Sequence, residues 1–271
     1  MKRKVFILIF LMVILRGGIF AQQSIAKFLP DSMAINTVEK NGWEIIFQDE
    51  FEKDTLNTQK WWAQNSERKG ELACFTSRPE NVHVKNGILN IVVQKENYKQ
   101  YAYTGGLLFA STPFNPNTYF ETCIKFPKGK GFWPAFWFWS GSDSTYQEID
   151  VVEYRGSKPT KFDISNHFWH SNLKKVDTDW IPFTAQTIKG KKVDLSEDFH
   201  IYAMEWLTDS IRIFMDNVLI KVYFKNIPQR PLNLILGMGL GGIDGKPNRR
   251  TKFPSTFAID YVRVYKKNPT E

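Results

Sequence analysis

Apolar and polar positions alternate with a period of two through most of this chain, and no stretch sustains the 3.6-residue repeat of an amphipathic helix. Short runs rich in Val, Ile, Phe, Tyr and Trp stand between turn-forming Gly, Asn, Asp and Pro. They predict strands over 43–47, 82–84, 88–94, 106–110, 118–126, 132–139, 147–153, 162–169, 199–207, 210–215, 218–224, 232–239 and 256–265. Ile211 to Lys221 reads as a hairpin with Asp216-Asn217 at its tight turn. Many short strands at this spacing predict an all-β sandwich or barrel.

Two of these strands carry more than a fold. Phe132 to Trp139 divides by parity, with Trp133, Ala135, Trp137 and Trp139 on one face and Phe132, Pro134, Phe136 and Phe138 on the other. The Phe row suits a core between sheets. The indoles, each with an N–H to satisfy, suit a cleft at Trp133 and Trp137, while Trp139 fits either place. In Glu148-Ile-Asp-Val-Val-Glu153, Glu148 and Asp150 share a face and Glu153 falls on the opposite one. A β-bulge at Val151-Val152 would turn Glu153 back onto the acidic face. Alternating acids also mark the solvated side of an ordinary antiparallel strand. Three acids crowded on one face would instead repel one another and shift each other's pKa, an arrangement that contributes nothing to a sheet. It does match glycosidic bond hydrolysis, in which one carboxylate attacks the anomeric carbon and a second, protonated, supplies the leaving oxygen with its proton.

The flanks carry a family resemblance along nearly the whole chain. Gly129 to Trp139 reads G-K-G-F-W-P-A-F-W-F-W and is followed by Q-E-I-D-V-V-E-Y. Asp49-Glu50-Phe51, the Thr76-Ser-Arg-Pro-Glu-Asn-Val82 segment with Asn86-Gly-Ile-Leu89, and Phe120 to Pro127 come in the same order, as do Phe199 to Trp206 and Asp260 to Tyr265. The chain resembles glycoside hydrolase family 16, the laminarinase, lichenase, agarase and carrageenase group, in its bulged E-x-D-x-x-E form. The resemblance implies a β-jelly roll, two curved antiparallel sheets with a substrate cleft across the concave face. It makes Glu148 the nucleophile, Glu153 the general acid/base and Asp150 the residue that orients the nucleophile, in retaining hydrolysis of a polysaccharide. It places a histidine on a cleft strand, matched here by His167 with His170 competing for the match, and it brings Arg78 towards the cleft.

Two stretches depart from the laminarinase pattern. Ser144-Thr-Tyr-Gln147 replaces a Trp-Pro pair, and Gly237-Met-Gly-Leu-Gly-Gly242 lacks an Asn. The expected substrate is β-1,3-glucan, with a β-galactan of agarase, porphyranase, carrageenase or host-glycan type as the alternative. A non-catalytic saccharide-binding jelly roll is a third reading, which an intact acid triad argues against.

Residues 1–21 have the form of a signal peptide, with basic Lys2, Arg3 and Lys4, an apolar Val5 to Leu15, and Ile19-Phe-Ala21 before the expected cleavage. That apolar run is shorter than the ~20 residues of a membrane span. The expectation is therefore a secreted or periplasmic monomer with one catalytic domain over 22–271 and no membrane span. The full chain has 36 Lys and Arg against 28 Asp and Glu, and losing Lys2, Arg3, Lys4 and Arg16 with the leader lowers the net charge from +8 to +4. The excess sits in short clusters rather than a stripe on a recognisable module, which argues against nucleic acid as a partner. Cys74 and Cys123 are the only cysteines, and either a disulfide or two buried thiols fits them. No metal motif is present, so no cofactor is expected. Some members of the family hold a structural calcium on the convex side, where Asp260 could contribute.

Overall fold

The computed structural model describes residues 42–268 except 69, 142–145, 171, 173 and 187–189. The predicted leader lies outside the described residues. Along the chain come β1 (Trp43–Asp49), β2 (Trp61–Ala63), β3 (Cys74–Phe75), β4 (Val82–Lys85), β5 (Ile88–Tyr98), β6 (Tyr101–Ala110), β7 (Thr118–Lys125) and β8 (Phe132–Ser140). They are followed by β9 (Gln147–Tyr154), β10 (Lys161–His170), β11 (Lys175–Thr184), β12 (His200–Trp206), β13 (Ile211–Met215), β14 (Val218–Tyr223), β15 (Asn233–Leu240) and β16 (Ser255–Lys267).

All thirteen predicted strands form, with ends within a few residues of the expectation except where β5 and β6 run longer. One antiparallel layer has the order β11-β10-β9-β8-β15-β6, with β2 on its far edge. The other runs β5-β16-β7-β12-β13-β14, and β5 and β6 link the two. This is the expected jelly-roll sandwich. Its layers meet through aromatic rings. Phe120 on β7 packs edge-on against Phe138 on β8, with centroids 4.5 Å apart, and Phe126 stacks on Tyr154 at 4.3 Å. The Asp216-Asn217 turn holds both residues at positive φ, 48° and 63°, as a two-residue hairpin of this twist requires.

Three strands escape a hydrophobic pattern. β2 and β3 are two or three residues long and are held by pairing with β6. β11 is a largely exposed edge strand bearing Asp177, Asp179 and Pro182, and it pairs only with β10. Its existence depends on the backbone ladder, which leaves little trace in side-chain periodicity. Cys74 and Cys123 are both buried free thiols, which decides the question left open by their number. Asp260 lies near Glu50 and Arg263 and belongs to no three-ligand cluster among the described residues.

Candidate active site

Strand β9 contains the expected bulge. Asp150 pairs with Trp137 and Val152 with Phe136, so Val151 has no partner of its own on β8; on β10 the register likewise slips between Asp163 and Ser165. Ile149, Val151, Val152 and Tyr154 are all buried in the core. The extra residue lets Val151 and Val152 both face inward and returns Glu153 to the side of Glu148 and Asp150. All three carboxylates line one cavity together with Trp133, Ala135 and Trp137.

The parity of β8 sorts as expected. Phe132, Phe136 and Phe138 are fully buried between the sheets, and the Trp row is partly exposed on the opposite face. Across the ladder Ala135 stands opposite Glu153, Trp137 opposite Asp150 and Trp139 opposite Glu148. The methyl of Ala135 leaves open space beside Glu153, flanked by two indoles. Trp137 and Trp139 rest on a small apolar cluster of Phe75, Leu107, Phe109 and Ile235, so Trp139 belongs to the cleft side and not to the inter-sheet core.

Each acid has its own partners. The Trp133 indole N–H donates to Glu153 Oε1 at 3.0 Å, and the Ser165 hydroxyl donates to Oε2 at 3.3 Å. The Tyr146 hydroxyl donates to Glu148 Oε2. Asp150, wholly buried, hydrogen-bonds with Ser165 and Glu148. His167 lies directly across from Glu148 in the ladder, its Nε2 3.3 Å from Asp150 Oδ2 and its Nδ1 2.8 Å from the Thr178 hydroxyl on β11. His170 instead meets Asp177, with Nε2 at 3.0 Å. Of the two histidines matched to the cleft strand, His167 is the one that reaches the acids. Asp163, opposite Glu153, forms an ion pair with Arg155.

Burial raises all three carboxyls. Glu148 is pushed up to about 8 by desolvation and then by the Asp150 charge, against the pull of the Tyr146 hydroxyl and of His167. Asp150 stands well above its ordinary value because it is buried and next because Glu153 is charged. Glu153 is raised by burial, with the hydrogen bonds from Trp133 and Ser165 opposing. The three groups titrate as a set and share protons at neutral pH. A set holding one ionised and one protonated carboxyl can act as a nucleophile and an acid at once. Glu148, Asp150 and His167 also present one ligand atom each within 4.8 Å of one another. That convergence suits a small cation as well as a reacting carbon.

Arg78 is not brought to this cavity. Its guanidinium pairs with Glu96, reaches Asn81 and Thr104, and lies 4.6 Å from the centre of the Tyr98 ring. It acts as the hub that ties the Thr76–Asn81 turn to β5 and β6. Four residues close to the acids carried no signal in the alternation pattern. Ser165 and Thr178 depend on strand register, and Arg68 and Glu71 on the loop between β2 and β3.

The family described as glycosyl hydrolases family 16 matches residues 70–263 of the chain. The chain is 28% identical to a glucan endo-1,3-beta-glucosidase A1 of Niallia circulans over 93% of its own length and 41% of that protein. It is 28% identical to a beta-glucanase of Rhodothermus marinus, with 83% of this chain and 85% of the relative covered. Among solved structures, the endo-beta-1,3-glucanase from Pyrococcus furiosus superimposes with a TM-score of 0.73 at 29% identity, over 83% of this chain and 94% of that one.

Proposed function

The chain belongs to the glycosyl hydrolases of family 16 and is an O-glycosyl hydrolase, and from that premise we propose that it is an exported, retaining endo-hydrolase of β-1,3-glucan. The observation that carries the reading is the unpaired Val151, which sets Glu148, Asp150 and Glu153 side by side in a cavity walled by indoles. Relatives named for endo-1,3-β-glucan cleavage support the substrate.

In this reading the reactive fraction of the enzyme is the one that has released the Glu148 proton and kept one on Glu153: Glu148 attacks the anomeric carbon, while Glu153 passes its proton to the glycosidic oxygen as the C–O bond breaks. Glu153, now ionised, then takes a proton from water, whose oxygen attacks the same carbon and frees Glu148. Asp150, hydrogen-bonded to Glu148, holds the nucleophile in place. Trp133 and Trp137 offer faces on which sugar rings stack, and Trp133 also orients Glu153. His167 holds its Nε2 3.3 Å from Asp150 Oδ2, on the side of the set facing β10.

The domain spans 22–271 in this proposal, acts as a monomer and follows a cleaved leader of residues 1–21. No helix among the described residues is long and apolar enough to cross a membrane. Release of reducing ends from laminarin, compared between the wild type and Glu148→Gln, tests the proposal. Oligosaccharides from the wild type alone support both the nucleophile and the substrate. Activity confined to agarose, porphyran or carrageenan would move the enzyme to the galactan alternative. Saccharide binding with no turnover on any of them would make it a binding protein.

A further inference from the structure

The cleft continues past the acids over a floor with no side chains of its own. On β15, next to β8, Gly239 stands opposite Trp133 and Gly237 opposite Ala135. These are the positions where the chain departs from the laminarinase pattern. A Cβ on Gly239 would lie 2.5 Å from Glu71 Oε2, and one on Gly237 would lie 2.5 Å from a Leu107 methyl. Glu71 and Leu107 therefore occupy the space above the two glycines. Glu71 accepts the Leu240 amide, while its Oε2 is buried and has no hydrogen-bond partner among the described residues. Burial raises this carboxyl to about 7.

Arg68 closes the same corner. Its guanidinium lies 5.5 Å from the Trp137 ring centre and 5.7 Å from that of Phe75, and its charge acts on Glu71 against the effect of burial. Both residues line the acid-bearing cavity. They thus bring a fork of donors and a carboxyl group, one oxygen of it packed over Gly239, to the wall of the cavity beside an indole that can serve as a stacking platform.

We infer that Arg68 and Glu71 form a sugar subsite adjoining the catalytic acids, and that it selects a neutral hexose by binding its free hydroxyls. The inference rests on the proposed glycanase function and specifies the substrate class for the same cleft. A hydroxyl both donates and accepts, so it can satisfy the guanidinium and the carboxyl together. Above about pH 7, where Glu71 is ionised, a sulfate or uronate would gain from Arg68 but would leave Glu71 facing a second acceptor, with three further carboxyls nearby. A buried polar group left without a partner in this way is the stronger source of discrimination. Glu71 acts here as a gate against charged sugars.

Isothermal titration of Glu148→Gln at pH 8, where Glu71 is ionised, with laminari-, agaro- and carrageenan oligosaccharides of equal length tests the subsite. The same titrations are repeated with Glu71→Gln, Glu71→Ala and Arg68→Gln added, and thermal unfolding confirms that each variant is folded. Removal of either side chain should weaken the best neutral ligand by about tenfold to a hundredfold. Glu71→Gln, which can donate to a sulfate, should narrow the preference for neutral over sulfated ligand by about tenfold. Affinities and preference unchanged within twofold would overturn the subsite, whichever oligosaccharide binds. A preference for agaro-oligosaccharides that still depends on Arg68 and Glu71 would retain the subsite and refute the β-1,3-glucan reading. Binding of no oligosaccharide would overturn both.

Discussion

Replacing Glu148 by Gln should stabilise the protein above neutral pH and leave its stability unchanged in acid. The folded protein holds the Glu148 proton up to about pH 8, whereas the ordinary value is 4.5. Between those values the folded state binds a proton that the unfolded chain has released, so wild-type stability falls as pH rises through that window. A difference of about 3.5 units at about 1.4 kcal/mol per unit sets a ceiling of about 5 kcal/mol. Asp150 and Glu153 share the burden and redistribute protons when one member is removed, which brings the expected gain at pH 8 to about 2 kcal/mol. For a domain of this size that gain corresponds to a rise in Tm of roughly 4–8 °C. Unfolding of the two proteins, followed by circular dichroism at pH 4.5 and pH 8, measures it. Coincident curves at pH 4.5 and a more stable variant at pH 8 are expected. A difference independent of pH, or a wild type more stable at pH 8, would refute the idea that burying an ionised Glu148 is costly.

Other consequences follow from named contacts. Trp133→Phe keeps a stacking ring but removes the 3.0 Å donor to Glu153. That donor lowers the Glu153 pKa, so its loss should move the alkaline limb of the kcat/KM profile up by roughly half a unit to one unit, and an unmoved limb would show that the bond has no such role. Glu153→Ala should cost far more rate on polysaccharide than on an aryl glycoside whose leaving group needs no proton, with equal losses on both contradicting the acid assignment. Alkylation after unfolding without reductant should label both Cys74 and Cys123 in mass spectrometry, and a linked pair would contradict two separate thiols. Asp216→Ala removes the partner of His200 Nδ1 at 2.8 Å and of the Ile201 amide at 2.9 Å, at a residue with φ of 48°. It should cost about 1–3 kcal/mol in urea unfolding, and a neutral effect would show that the turn does not depend on that side chain.

Much of the site was legible because its chemistry and its fold share one pattern. Glu153 could join Glu148 and Asp150 only through an extra residue, and that spacing announced the bulge at Val151. The strict Phe and Trp parity of β8 identified which face is core. The Asp49-Glu50-Phe51 motif was visible but silent about its task. Asp49 accepts the Trp61 indole N–H at 2.8 Å and the Phe51 amide at 3.0 Å, which makes it a structural clamp. Arg78 was equally visible, yet its charge is taken up by Glu96. What stayed hidden depends on register and loop path. Thr178 reaches His167 from a polar edge strand with no apolar face to betray it. Ser165 meets Glu153 only after the bulge has shifted the ladder. Glu71 fills space above Gly239, more than 160 residues away in sequence, and alternation within a strand cannot report such a contact.

Trapping of the covalent intermediate tests the central claim most directly. An activated 2-deoxy-2-fluoro laminaribioside slows release of the glycosyl-enzyme, and peptide mass spectrometry then locates the sugar. The account predicts one sugar per protein, esterified to Glu148, and no labelling of Glu148→Gln. A label on Asp150 or Glu153, or turnover in Glu148→Gln, would contradict it.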